Sequence, residues 1–290
     1  LAHALKAVRH DLAVLLSRGD LRLRLRLRDV PGDVGAGVDA PRTPARTDLA
    51  SLLAANSARG SQALRSLEEC SRLVEPAATP GFEALRYRLY TLERAALNAV
   101  ASRERLADRW LCVLIDTGST ADAFAHLLAE LLAAGVGAVQ LRDKAADLPL
   151  LSQRAAEAVA QTRRHAEETG QPRCLVIVND RVDVAVAAGA DGVHLGATDL
   201  PVPQARRVAG PQLLIGRTAH CIEQAHQAVL AGADYLGVGP CFPSGTKAFT
   251  AFASESYLQE VASTISLPAF AIGGVTADRL PALTRLGLTR

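Results

Sequence analysis

The chain has 290 residues, enough for one large domain or two smaller ones, with 49% hydrophobic and 21% charged residues and a formal net charge of +2. So small a charge argues against a nucleic-acid or membrane surface, and aromatics at 4% are too few to build a stacking platform for single-stranded bases. The five cysteines (Cys70, Cys112, Cys174, Cys221, Cys241) form no Cys-x-x-Cys pattern, which fits reduced thiols in a cytoplasmic protein better than a disulfide framework or a zinc site.

No uncharged apolar run approaches the roughly 18–20 residues of a membrane span. Lys6, Arg9, His10 and Asp11 interrupt the first segment, so no signal peptide is expected. The absence of methionine and the start at Leu1 point to a fragment boundary at the N-terminus.

The first hundred residues read as a small helical domain, with its boundary placed at 105/106. Leu5, Val8, Leu12, Leu15 and Leu16 recur at helical spacing. Pro31, Gly32, Gly35, Gly37, Pro41 and Pro44 break the pattern. Helices are predicted again over Leu49–Leu73 and Phe82–Arg103. Between them and the first helix, Leu21 to Arg28 alternates leucine with arginine, as a half-buried strand would. That stretch is either an anionic-ligand patch or, more simply, an edge ribbon or helix end with solvated arginines.

From Trp110 onward, short apolar runs alternate with amphipathic segments. The predicted strands are Leu111–Ile115, Ala138–Leu141, Cys174–Val178, Gly192–Leu195, Leu213–Ile215, Tyr235–Val238 and Ala269–Ile272. Several intervening helices end in Ala-Gly, at Gly135, Gly189 and Gly232, where glycine closes a helix before the next strand. Repeated strand–helix units imply a parallel sheet with right-handed crossovers. No Gly-x-Gly-x-x-Gly opens the first unit, so the expectation is a (β/α)8 TIM barrel, with its chemistry at the C-terminal strand ends.

Polar groups recur at those ends. Gln140, Arg142 and Lys144 alternate after the second strand and, if extended, share one face; an amide, a guanidinium and an ammonium together suit a diphosphate. Asn179-Asp180 follows the third strand and Asp199 the fourth. Each acid alone reads most simply as a helix N-cap, and Asp199 before Leu200-Pro201 is especially cap-like. Two carboxylates on neighbouring strands also make a seat for Mg²⁺, which binds through one or two carboxylates plus substrate phosphates. Thr218 offers a hydroxyl after the fifth strand. Ser244, Gly245, Thr246 and Lys247 have the ingredients of a phosphate cradle after the sixth, and Gly273-Gly274 allow close phosphate approach after the seventh. His194 reads as a packing histidine.

Taken in order, Gln-Leu-Arg-x-Lys, Val-Asn-Asp, Gly-Val-His-Leu-Gly-x-x-Asp-Leu-Pro, Gly-Arg-Thr, Gly-Pro-x-Phe-Pro-Ser-Gly-Thr-Lys and Ala-Ile-Gly-Gly-Val resemble the thiamine phosphate synthase family over residues 110–288. Set against that family, the barrel is expected to end before an eighth strand. The resemblance implies a Mg²⁺-dependent transferase that joins hydroxymethylpyrimidine diphosphate to thiazole phosphate and releases pyrophosphate. It assigns Gln140, Arg142 and Lys144 to the diphosphate, Asn179 to the pyrimidine, and Asp180 and Asp199 to Mg²⁺. Thr218 stands where the family usually has serine. Ser244, Gly245 and Thr246, with Gly273 and Gly274, correspond to the thiazole-phosphate site; Lys247, with Arg142 and Lys144, corresponds to the groups that steady the departing diphosphate. Small-molecule substrates, with no nucleic acid or membrane, are the implied partners. A thiazole tautomerase or a non-catalytic thiazole-phosphate-binding barrel is the alternative. Residues 1–100 resemble the helical extension of some bacterial members.

Overall fold

The computed structural model describes residues 1–23, 29, 32, 46–243 and 251–290. These fall into two compact units, residues 1–100 and 101–290.

The first unit is helical because its apolar residues recur every third or fourth position. It contains α1 (Ala2–Leu16), α2 (Leu49–Val74) and most of α3 (Thr79–Arg105). Val8 and Leu15 of α1, Leu64 of α2 and Phe82, Leu85 and Leu92 of α3 form its core. Asp48 caps α2 by accepting the Ser51 amide at 2.6 Å. Glu68, buried on α2, is held by Arg65 at 2.6 Å and Arg86 at 2.8 Å, the pairing a buried carboxylate requires. The alternating Leu–Arg stretch does not begin as a strand: Gly19–Leu23 is a 3₁₀ turn. A local 3₁₀ turn satisfies backbone groups without a neighbouring strand, which an isolated ribbon lacks. Residues 24–28 lie outside the described residues.

In the second unit seven parallel strands lie in sequence order: β1 (Cys112–Ile115), β2 (Ala138–Leu141), β3 (Leu175–Asn179), β4 (Gly192–Leu195), β5 (Leu214–Ala219), β6 (Tyr235–Val238) and β7 (Ala269–Ala271). They form a curled, barrel-like sheet with no eighth strand among the described residues. β2, β4 and β6 are buried throughout, as expected where helices cover one face of a parallel sheet and the barrel interior the other. The helices are α4 (Ala121–Ala133), α5 (Leu148–Thr169), α6 (Val182–Ala187), α7 (Val202–Ala209), α8 (Ile222–Ala231), α9 (Glu255–Thr264) and α10 (Leu280–Arg285). Phe124, Leu128 and Leu132 show the core stripe of α4. The three Ala-Gly helix ends turn through left-handed glycines, as the sequence predicts.

Arg290 bridges the two outer strands' surroundings. Its carbonyl accepts the Ala271 amide of β7 at 2.9 Å. Its guanidinium donates to the Leu106, Ala107 and Arg109 carbonyls ahead of β1 and lies over the Trp110 ring.

At the N-terminal strand ends, two aspartates pin the sheet. Asp191, just before β4, accepts the Val176 amide at 2.8 Å and pairs with Arg173. Asp234, just before β6, accepts the Ile215 amide at 2.6 Å and the Ser102 hydroxyl at 3.2 Å, and pairs with Arg206. Each ties neighbouring strands together through a main-chain amide. No described helix is long and apolar enough to cross a membrane.

Candidate functional site

At the opposite, C-terminal ends of the strands the side chains are mostly polar. β3 runs one residue beyond the predicted apolar run, so Asn179 closes it in register with His194 of β4. Asp180 follows at φ 63°, the one non-glycine residue with positive φ among the described residues. Aspartate tolerates that region better than most side chains. Its amide donates to the His194 carbonyl at 2.8 Å, which anchors the turn to β4.

Neither acid serves as a helix cap. The residue opening α6 is Arg181 and that opening α7 is Pro201, and neither helix has a side-chain cap. Asp199 instead folds back, its Oδ2 accepting the Gly196 amide at 2.6 Å. The Asp180 and Asp199 carboxyls are close enough for each to act on the other. Burial, followed by the neighbouring Asp199 carboxyl, pushes the Asp180 carboxyl up to about 6, while Lys144 and Arg142 pull it down. Although Lys144 and Arg142 stand near, the two acids repel one another. Their all-oxygen donor set fits a hard divalent cation whose other positions go to water or phosphate. Among the described residues no cluster of three or more histidine, cysteine or acidic groups could hold a metal ion, so the two aspartates would need water or substrate oxygens to complete a site.

The cationic group differs from the simple alternation. β2 ends at Leu141, so only Gln140 sits in the strand, 3% exposed. Arg142 extends the ladder by one bond, its amide donating to the Ile115 carbonyl at 2.8 Å. Lys144 lies in a bend beyond it. The cause is Asp143. Its Oδ2 accepts the Thr117 hydroxyl at 2.6 Å and its Oδ1 accepts the Ala145 and Ala146 amides at 2.8 and 3.1 Å. This clasp turns the chain away from strand geometry and holds it to the end of β1. The Thr117 hydroxyl and the neighbouring amides keep the Asp143 carboxyl below the usual range. The role of Asp143 in this loop was not legible in the sequence.

Beneath the mouth, His194 is 5% exposed and hydrogen-bonds on both ring nitrogens, with Thr218 Oγ1 at 2.9 Å and the Tyr235 hydroxyl at 3.2 Å. Burial pulls its imidazole down to about 4, so it is neutral near pH 7. β5 continues to Ala219, well past the predicted end, because its polar residues still pair with β6. Thr218 is therefore a strand residue facing His194. Gly216 makes room for this arrangement: a Cβ there would stand 2.1 Å from the Tyr235 ring. The histidine is thus buried, as its place in an apolar strand suggests, and it also orients a hydroxyl at the mouth. Its partner Tyr235 was missed; the signal was the pair of glycines, Gly216 and Gly237, that flank the two rings.

On the far side, Gly273 and Gly274 follow β7 with φ of 95° and 60°. A Cβ on Gly274 would stand 2.3 Å from the Pro243 carbonyl, so the two loops meet backbone to backbone. Arg279 donates to the Gly274 and Pro243 carbonyls at 2.6 and 3.3 Å and locks them together. Ser244, Gly245, Thr246 and Lys247 lie outside the described residues. The structure therefore brings Arg142, Lys144, Asp180 and Asp199 near one another, holds Thr218 on His194, and leaves Gln140 and Asn179 in the C-terminal halves of β2 and β3.

Comparison with known proteins agrees with this architecture. The family model described as thiamine monophosphate synthase matches residues 111–290, and the ThiD2 family model matches residues 1–95. A thiamine-phosphate synthase from Rhodopirellula baltica is 39% identical over an alignment covering 100% of this chain and 78% of that protein. One from Gloeobacter violaceus is 40% identical, covering 92% and 75%. Among solved structures, a thiamine phosphate pyrophosphorylase from Pyrococcus furiosus superposes with a TM-score of 0.53 at 29% identity, covering 63% of this chain and 85% of that one. With the matched region spanning the whole seven-stranded unit, the chain belongs to the thiamine monophosphate synthase family of transferases.

Proposed function

We propose that the second unit joins hydroxymethylpyrimidine diphosphate to thiazole phosphate, with release of pyrophosphate, and that Asp180 and Asp199 hold the Mg²⁺ this requires. The observation that carries the reading is the facing pair of carboxylates with Arg142 and Lys144 beside them. A diphosphate brings negative charge of its own, so it needs cations on both sides. The cation supplies Lewis-acid stabilisation of the phosphate oxygens. Arg142 and Lys144 bind and neutralise the same group from the other side.

The substrate carbon–oxygen bond breaks with its electron pair leaving on the diphosphate, and the thiazole nitrogen lone pair forms the new bond to the pyrimidine methylene. No protein nucleophile takes part. Fixed positive groups aimed at the developing charge are the main source of acceleration in such a step. Asn179, at the rim, contacts the pyrimidine. Thr218, oriented by His194, offers its hydroxyl to the substrates. Gly273 and Gly274, with Ser244, Gly245 and Thr246, hold the thiazole phosphate, and Lys247 adds a third cation at the diphosphate.

The test is pyrophosphate release from the two substrates, with and without Mg²⁺, by the wild type and by Asp180→Ala. Release should require metal and fall by about two to three orders of magnitude in the variant. Release that depends on neither metal nor Asp180 would overturn the reading. Thiazole-phosphate binding without turnover would favour a binding barrel.

A further inference from the structure

We infer that Arg217 is a positioning residue for the Asp199 carboxylate and so for the divalent cation; this rests on the reading of Asp180 and Asp199 as its ligands. Arg217 lies between Gly216 and Thr218 on β5, in register with Leu195, the last residue of β4. Alternation along the strand sends its side chain to the face opposite Thr218. There its guanidinium meets the loop that leaves β4, donating to the Gly196 carbonyl at 2.6 Å and the Ala197 carbonyl at 3.5 Å.

Gly196 is the residue that holds Asp199. Its amide donates to Asp199 Oδ2 at 2.6 Å, and its carbonyl accepts the Asp199 amide at 3.3 Å. Asp199 thus grips Gly196 on its amide side while Arg217 grips the carbonyl. Among the described residues no other side chain donates to the Gly196 or Ala197 carbonyl. Ala197 and Thr198 are exposed, and α7 begins without a side-chain cap. Leu195 is fully buried, so the fixed points of this loop are the end of β4 and the Arg217 fork.

The consequence is geometric. With Oδ2 committed to Gly196, the direction of the Asp199 carboxyl follows the orientation of the Gly196 peptide. Arg217 sets that orientation. A planar fork can hold two carbonyls at once, whereas a lysine ammonium approaches as a single point. Removing a partner that orients a metal ligand lowers metal affinity by about 10- to 100-fold.

The experiment uses the full chain, titrated with Mn²⁺ and followed by electron paramagnetic resonance without substrates, alongside the Mg²⁺ dependence of pyrophosphate release. Thermal melts verify folding of each variant. Arg217→Ala should weaken Mn²⁺ binding by about 10- to 100-fold and raise the half-saturating Mg²⁺ in parallel, with most turnover restored at high Mg²⁺. Arg217→Lys should fall between it and the wild type, and it serves as the test should Arg217→Ala fail to fold. Unchanged Mn²⁺ affinity and an unchanged Mg²⁺ curve in a folded Arg217 variant would overturn the inference. Failure of the underlying ligand reading shows differently: Asp180→Ala would then bind Mn²⁺ as the wild type does, and the inference would fall with it.

Discussion

Two pairs of aspartates lie near strand ends of the second unit, one pair at each end of the sheet, and their surroundings are opposite. Asp191 and Asp234, at the N-terminal ends, each bond a main-chain amide of a neighbouring strand and each have an arginine of their own. Asp180 and Asp199, at the C-terminal ends, face each other, and burial with mutual repulsion raises the Asp180 carboxyl to about 6. A carboxylate supplied with its own guanidinium is finished as a structural element. A pair left facing one another is strained until a cation arrives, which marks a site where function has displaced stability.

That contrast can be broken most sharply at Asp180. Its replacement by asparagine, which tolerates the same left-handed backbone, should cost about two to three orders of magnitude in pyrophosphate release while leaving the thermal midpoint unchanged or higher. A large loss of stability instead would mean that Asp180 belongs with the structural pair. The converse substitution, Asp234→Asn, leaves Arg206 partly buried without its partner and should cost about 3 kcal/mol in denaturant unfolding. Per folded molecule, turnover should change little.

Between the two tiers sits His194, whose folded pKa of about 4 lies below the ordinary 6.5. The unfolded chain then binds the proton more readily, so this contribution is fully present above pH 6.5 and is lost as pH falls toward 4. The metal-free protein should lose on the order of 1 kcal/mol between pH 7 and 5.5 from this group. Imidazole NMR checks the cause: a midpoint near 6.5 would mean that the ring is solvated and does not hold Thr218. The smallest effect is expected for Asp199→Asn, which keeps an oxygen for the Gly196 amide but removes a repulsive charge. The metal-free protein should gain about 0.5 kcal/mol, the usual exchange of stability against function at a site, and a loss would show that Asp199 pairs like the lower acids.

Much of this was legible in the sequence. The seven apolar runs correspond to seven strands, and α2 and α3 match their predicted spans to within a few residues. Strand ends were harder, because a strand that continues with polar residues leaves no hydrophobic signal: β5 runs on through Arg217 and Thr218 by pairing with β6. The Gln140, Arg142 and Lys144 alternation was read as one extended face, but the Asp143 clasp bends Lys144 out of it.

The sequence by itself determined the alternation of strands and helices and the order of polar groups at the strand ends. Burial periodicity and turn chemistry are written into neighbouring residues. Only the tertiary structure decided what those groups meet. A cap and a metal ligand are the same aspartate in sequence, and the choice depends on whether another carboxylate lies across from it. The curling of the sheet places Asp199 against Asp180, Tyr235 against His194 and Arg217 under the Gly196 loop. Local preference does not encode such contacts, because they join residues that the chain separates and only the packed strands bring together.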